Sequence, residues 1–328
     1  MFGVSAVARD SVEPFVGLPR PMGMDDLHRI EHATTRHELH ARGHTDHDIH
    51  LAQRAGHLEL LTRGLLISPQ YLDGSREQRH REIAVARLRT SRTSGRALAS
   101  VSAASVLGLP IWGLATQQVV MVDPSRSPGS RSTGGIRLVT DKRPAATTVV
   151  DGGLVTAPAR TVIDIARSSS RIPAIAVGDA ALHDGLCTMS DLENELDLIA
   201  KMSGAARARL VVSQLNGLAE SVLESRSRIE LTDRGIRMPE LQIDLYDSWG
   251  RWIARVDFYW REQRTVGEAD GESKYAGESG VAVLRKEKGR SDAIVEADNR
   301  AIHWGWSDVD DADGLAERVR RLLARPAA

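Results

Sequence analysis

The chain has 328 residues, enough for two or three domains with ordinary cores. Hydrophobic residues at 41% and charged residues at 27% point to a soluble globular protein, and a formal charge of −1 by itself predicts no polyanion partner. Cys187 is the only cysteine, which excludes an internal disulfide and a Cys-based zinc site and fits a reducing cytoplasm; no apolar run reaches the length of a membrane span.

The distribution of charge says more than its sum. From Arg76 to Arg143 there are twelve basic residues against four acidic ones, a net of +8; from Glu220 to Arg325 there are eighteen against twenty-two, a net of −4. A basic middle and an acidic end suggest different tasks. Only five of the 43 basic residues are lysines, and three of these are Lys274, Lys286 and Lys288.

In chain order, residues 1–24 read as a loose tail, with Pro14, Pro19 and Pro21 and without the long apolar core of a signal peptide. Met22 and Met24 are alternative starts. Residues 25–72 read as a small winged helix-turn-helix. Thr35 precedes a helix through Leu39 and Ala41 that Gly43 ends, Thr45 caps a second helix with Asp46 and Asp48 in its first turn, and Gly56 closes it. Leu58–Leu61 and Leu65–Ile67, around the turn Thr62-Arg63-Gly64, form a two-stranded wing. Two short helices and a hairpin are the parts of a DNA reader, so Arg36, Thr45, His47, His50, Arg54 and Arg63 are the residues expected at DNA. Acids balance these arginines, whereas phosphate affinity needs uncompensated cations. Eight of the eleven histidines fall between His28 and His57. His40 and His44 are spaced to share a helix face as a metal or pH sensor, although such a run also reads as exposed polar positions, the reading preferred here.

Residues 76–200 read as an α+β domain. The Arg-rich stretch from Ser75 to Ser94 is a solvated helix or linker. Ser102–Leu109 is helical up to Pro110, and strands are expected at Gln117–Val122, Ile136–Thr140 and Thr147–Val150, with turn-rich sequence from Ser125 to Gly135. Pro158 opens a helix, a second carries Ala176, Ala180 and Leu182, and a polar helix runs from Ser190 to Met202. No catalytic constellation stands out here.

Several stretches resemble AbiEi-type antitoxin proteins of actinobacteria: Thr35-Arg36-His37-Glu38-Leu39 with Arg42-Gly43-His44-Thr45-Asp46, Val101-Ser102-Ala103-Ala104, Leu109-Pro110-Ile111-Trp112-Gly113, Val155-Thr156-Ala157-Pro158-Ala159-Arg160-Thr161, and Gly178-Asp179-Ala180-Ala181-Leu182. The resemblance covers about residues 25 to 200. It implies a winged-helix transcriptional regulator that represses its own promoter, with a second domain that opposes a toxin.

Residues 215–325 give the order helix (Leu218–Arg234), strands (Leu241–Tyr246, Trp252–Phe258, Thr265–Ala269), helix (Val281–Val295), strand (Ala301–Trp306) and helix (Leu315–Leu323). This αβββαβ succession resembles the restriction-endonuclease-like, PD-(D/E)XK core. The expected fold class is therefore α+β multidomain: a winged helix, an α+β middle domain and a restriction-endonuclease-like end. Asp257 sits near the end of the second strand. Alternation puts Glu268 and Asp270 on one face of the third, and adjacent strands lie about 5 Å apart, close enough for their carboxylates to share one cation. The run Glu268-Ala269-Asp270-Gly271-Glu272-Ser273-Lys274-Tyr275, with Leu284–Arg290 and Ile302–Trp306, is similar to the very-short-patch-repair branch of that superfamily. By position, the resemblance implies Asp257 and Glu268 as Mg²⁺ ligands and Asp270 as a third carboxylate. Lys274 would hold a phosphate or orient water, and Glu224 on the preceding helix would be an outer ligand or base.

Two departures stand beside this. The lysine expected two residues after the acid is Asp270 here, and the domain is net acidic. The alternative reading makes Asp270-Gly271 a turn and the acids ordinary strand ends. Three functions follow: a DNA-binding regulator or antitoxin-like protein with a nuclease-fold domain, a Mg²⁺-dependent endonuclease targeted by its first half, or an interaction module with a degenerate nuclease fold. DNA and a cognate toxin are the expected partners, and no membrane is expected.

Overall fold

The structure, a computed structural model, describes residues 24–324 apart from 92–94, 126–129, 142, 144–145, 272–288 and 291. Clustering of contacts divides the chain into two compact units, Met1–Gly74 and Ser75–Ala328.

In the first unit, β1 (Thr34–Thr35), α1 (Arg36–Ala41), α2 (Asp46–Arg54), β2 (Glu59–Thr62) and β3 (Leu65–Ile67) follow one another. Both helices begin on reciprocal threonine caps. Thr35 accepts from the Glu38 backbone N–H while Glu38 accepts from that of Thr35, and Thr45 and Asp48 repeat the arrangement. Gly43 (φ 95°) supplies the left-handed residue that stops α1. The strands form an antiparallel sheet in the order β1-β3-β2. Leu27, Leu39, Ile49, Leu58 and Leu66 fill the core between helices and sheet.

The second unit opens with α3 (Arg76–Arg89), so the Arg-rich stretch is a helix, with His80, Ala84, Ala86 and Leu88 buried. A six-stranded sheet follows: β4 (Ala97–Leu98), β5 (Val119–Val122), β6 (Ser130–Thr133), β7 (Ile136–Val139), β8 (Thr147–Val150) and β9 (Gly153–Thr156), in the order β6-β7-β5-β4-β9-β8. α4 (Ser100–Val106) lies between β4 and β5 in the chain. The helices α5 (Pro158–Ser168), α6 (Arg171–His183), α7 (Met189–Leu198) and α8 (Ala205–Val212) share one apolar core with α4, including Val162, Ile163, Ile165, Ile175 and Leu192.

From α9 (Val222–Asp233) the chain enters a four-stranded sheet of β10 (Glu240–Tyr246), β11 (Trp252–Trp260), β12 (Thr265–Ala269) and β13 (Arg300–Trp304). Its order is β10-β11-β12-β13; the first two pairings are antiparallel and the last is parallel. α9, α10 (Trp306–Asp310) and α11 (Ala312–Leu323) contribute to its core with Phe258, Trp260 and Trp304. Residues 292–296 are helical, while most of the expected helix Val281–Val295 lies outside the described residues.

Several expectations are corrected. β13 stops at Trp304, two residues early, because Asp308 accepts from the Gly305 backbone N–H (2.9 Å) and starts α10 there. Trp304 is a core residue, and its indole N–H donates to Ser227 (2.8 Å). β4, β6, β9 and α8 were not expected at all. His40 and His44 do not share a helix face, since α1 ends at Ala41; His40 bonds Asp46, and His44 is buried. Among the described residues, no helix is long and apolar enough to cross a membrane.

Gly267 lies in the middle of β12, where a Cβ would stand 2.5 Å from the Trp304 ring and 3.1 Å from that of Trp260. Gly267→Ala is therefore expected to destabilise the second unit by about 1–3 kcal/mol through overpacking. A lower urea midpoint, followed by tryptophan fluorescence, is the readout; an unchanged midpoint would mean that the Trp304 ring yields freely.

Candidate functional site

Of the acids singled out in the last third, Glu224 and Asp257 share one amide donor and Glu268 is within the field of Asp257 and Asp270; helix capping places the first of them. Ser221 caps α9 by accepting from the Glu224 backbone N–H (3.1 Å). The Glu224 carboxylate in turn accepts from the Glu220 backbone N–H (2.9 Å) and the Ser221 hydroxyl (2.8 Å). Glu224 is buried, yet its Oε2 also receives the Gln242 side-chain amide (2.9 Å).

Gln242 is the joint of the site. The same amide nitrogen donates to Asp257 Oδ1 (3.2 Å), while its Oε1 accepts from Arg255 Nε (2.9 Å). Gln242 sits within β10 at φ 53°, a left-handed conformation that costs a non-glycine residue on the order of 1–3 kcal/mol. The Gln242 amide therefore links the carboxylates of α9 and β11 from a strained backbone.

Asp257 Oδ2 accepts from the Ala269 backbone N–H (2.9 Å), tying β11 to the end of β12. Glu268 is buried one residue earlier and accepts from Arg290 (2.8 Å), whose guanidinium also donates to the Arg255 carbonyl (2.6 Å). On β13, His303 stands in register with Glu268, and its Nδ1 donates to Asp270 Oδ2 (2.9 Å). Asp270 follows the last residue of β12. Lys274 lies outside the described residues.

The charges are under mutual strain. Burial, then the negative charge of Asp257, push the Glu268 carboxyl up to about 7, against the pull of Arg290 and His303. Burial and Asp257 also raise Glu224, though its hydrogen bonds oppose the shift. The hydrogen bond to Asp270 and that residue's charge hold His303 above the usual imidazole value. Hard divalent cations take oxygen donors, and Mg²⁺ commonly uses only one or two carboxylates plus water and phosphate oxygens. Asp257 and Glu268 supply donors of that type. Among the described residues, no group of three or more His, Cys, Asp or Glu side chains is arranged to hold a metal ion.

The residues expected at DNA all lie in the first unit and are not equivalent. Thr45 is engaged with Asp48 as a helix cap, and Arg36 pairs with Asp46 (2.8 Å). His47, His50 and Arg54 are exposed on α2, and Arg63 is exposed at the turn between β2 and β3. Gln242, Arg290 and His303 carried no role in the sequence reading. The motif containing His303 was recognised, but the partners of all three become evident only from strand register and tertiary contacts.

Residues 70–214 match the family model of the AbiEi antitoxin C-terminal domain. The chain is also 32% identical over 233 residues to the uncharacterized protein Rv2248 of Mycobacterium tuberculosis strain H37Rv, covering 70% of this chain and 83% of the relative. The uncharacterized protein MT2308 of strain CDC 1551 matches with the same identity and coverage.

The raised Glu268 carboxyl sets a pH dependence. The folded state holds this proton up to about 7, whereas the ordinary value is 4.5, so between these limits the folded state binds more protons than the unfolded one. Stability from this group is therefore present below 4.5 and is lost as pH rises through 7. Glu268→Gln is expected to stabilise the protein at pH 8 in EDTA by roughly 1–3 kcal/mol, an advantage that fades towards pH 4.5. Urea unfolding of both proteins at several pH values tests this, and a difference that does not vary with pH would contradict it.

Proposed function

We propose, from the premise that this chain belongs to the same family as the two mycobacterial proteins and carries an AbiEi antitoxin C-terminal domain, that it is an antitoxin-like, DNA-binding regulator whose last third is a nuclease-type fold. The AbiEi match at residues 70–214 carries this reading. The unit before it supports the DNA-binding part. Its two capped helices and β2–β3 hairpin fit a winged helix-turn-helix, in which α2 would read the major groove and the hairpin would touch the backbone. His47, His50 and Arg54 would face DNA from α2, with Arg63 at the tip of the wing. Arg36 and Thr45 would serve mainly to set the angle of α2, because their side chains are engaged with Asp46 and Asp48. A cognate toxin is the proposed partner of the AbiEi domain.

A second reading has its own support. The approach of Glu224, Asp257 and Glu268 around one amide and one guanidinium favours a PD-(D/E)XK-type Mg²⁺ site over three unrelated strand-end acids. Asp257 and Glu268 would hold the ion, with Asp270 a further carboxylate beyond them. Bound there, Mg²⁺ supplies charge neutralisation at a phosphate and a water made more acidic. The chain's own part is definable without the ion. Gln242 orients Glu224 and Asp257, Arg290 offsets the charge of Glu268, and His303, whose charged form Asp270 favours, can in that form donate to a phosphate oxygen. Lys274 would add a phosphate contact.

Footprinting of purified protein on its own promoter region tests the first reading. Arg54→Ala and Arg63→Ala are each expected to weaken binding by about tenfold, a loss typical of a phosphate or base contact. No footprint at low salt would remove the regulator reading. The second reading expects Mg²⁺-dependent nicking that Asp257→Ala or Glu268→Ala abolishes while the footprint persists. If both assays are blank, the remaining reading is an interaction module with a degenerate nuclease fold.

A further inference from the structure

The hairpin between β10 and β11 carries an aromatic surface that the carboxylate site does not use. Tyr246, Trp249 and Trp252 are 57%, 79% and 61% exposed, whereas the chain's other four tryptophans are buried or half-buried. Tyr246 and Trp252 are cross-strand partners. Three large aromatic side chains left in water on one short segment mark a surface that something covers.

The segment is also held in place. Asp247 Oδ1 accepts from the backbone N–H groups of Trp249 and Arg251 (both 2.9 Å), and its Oδ2 accepts from Arg251 Nε (2.7 Å). Trp252 Nε1 donates to Asp244 (2.8 Å), and the Arg251 guanidinium lies 5.0 Å from the Trp249 ring centre. Rings fixed in this way lose little freedom when a ligand stacks on them. The Asp247 side chain is 17% exposed and the Arg251 side chain 74% exposed, so within this pair it is the guanidinium that faces solvent beside the rings, with the exposed Asp244 carboxylate at Trp252.

Beside the hairpin runs a groove of about 1230 Å³, lined on its other side by Arg264, Arg290, Ala293, Ala297 and the acids Glu296 and Asp298. Small-molecule pockets hold about 300–1,000 Å³, so the groove suits an extended ligand better than a metabolite. Arg290 belongs to the groove and to the carboxylate site at once, because it donates to Glu268 Oε1 (2.8 Å). A ligand in the groove is thereby led to the carboxylates.

We propose that this groove binds a single-stranded nucleic-acid segment, its bases stacked on Trp249 and Trp252 and its phosphates near Arg251 and Arg290. That the strand then feeds the carboxylate site rests on the nuclease-fold reading; the stacking itself does not. Aromatic rings interleaved with guanidinium groups accept any base and grip the backbone between them. A second copy of the chain could also cover the rings. The exposed arginine and the continuity with a site suited to phosphodiesters favour the nucleic acid.

The test uses the full chain in EDTA with a fluorescent twelve-nucleotide single strand of mixed sequence. Binding with quenching of tryptophan emission is expected, and the double variant Trp249→Ala/Trp252→Ala is expected to lose at least tenfold in affinity, since two stacking contacts go. Both positions are exposed, so the fold is retained, which circular dichroism checks. Unchanged affinity in the double variant, or absence of single-strand binding by the wild type, overturns the proposal. Sedimentation that shows self-association lost in the double variant, with single-strand affinity intact, overturns it in favour of a second copy. Asp257→Asn is expected to leave the stacking unchanged. If Mg²⁺-dependent nicking is absent while stacking persists, the nuclease reading fails and the groove assignment stands.

Discussion

The second unit hangs on one buried carboxylate. Asp179, fully buried in α6, accepts from the Asn216 backbone N–H (2.7 Å), the Ser225 hydroxyl (2.8 Å) and Arg228 (2.8 Å). Burial pushes its carboxyl up, and the charge of Arg228 and three hydrogen bonds pull against that. Breaking such a pair by removing one partner typically costs about 3–5 kcal/mol, because the other charge stays buried and uncompensated. The pair therefore fixes α9 against the AbiEi domain with little freedom to slide. Glu224 stands immediately before Ser225, so the lock that holds the helix also sets where the first site carboxylate projects.

A second clamp works at the same junction. The Arg226 guanidinium lies 5.2 Å from the Trp112 ring centre and 5.8 Å from that of Trp306, and it also bonds Asp310 (2.8 Å). Trp112 belongs to the AbiEi domain, whereas Trp306 and Asp310 lie on α10 beyond the last strand. Residues 224–228 thus face three ways: to the carboxylate site, to α6 and to α10. This explains why residues 75–328 pack as one unit although their sequence reads as two domains.

What could be read in the sequence follows from the range of the interactions. Caps and stops are local, so Thr35, Gly43, Thr45, Gly56 and Pro158 marked helix ends correctly. β12 was bounded to the residue because the polar run Arg261–Arg264 precedes it and the turn signal Asp270-Gly271 follows it. β4 is the opposite case. It has two residues, yet it joins β5 to β9 in the six-stranded sheet by pairing Ala97 with both Val122 and Leu154. No pattern within two residues can announce partners 25 and 57 positions away. The Arg-rich helix was equally opaque, since one narrow stripe of Ala84 and Leu88 outweighs the five arginines of α3, none of which is buried.

The carboxylates were legible because acids close to Val256, Phe258 and Val266 in otherwise apolar strand sequence are conspicuous. Their compensation was not legible. Glu268 meets Arg290, 22 positions further along the chain, only through the tertiary fold, and His303 meets Asp270 only because β13 runs parallel to β12 in one particular register. That compensation is also where a net charge of −4 in this part of the chain takes physical form. Glu224 and Asp257 share the Gln242 amide, while Glu268 pairs with Arg290 and is also drawn on by the charge of His303. A protein that needed only stability would gain by replacing one of these acids with an apolar side chain of similar volume. The buried acids and the strained Gln242 are thus where this sheet gives up stability.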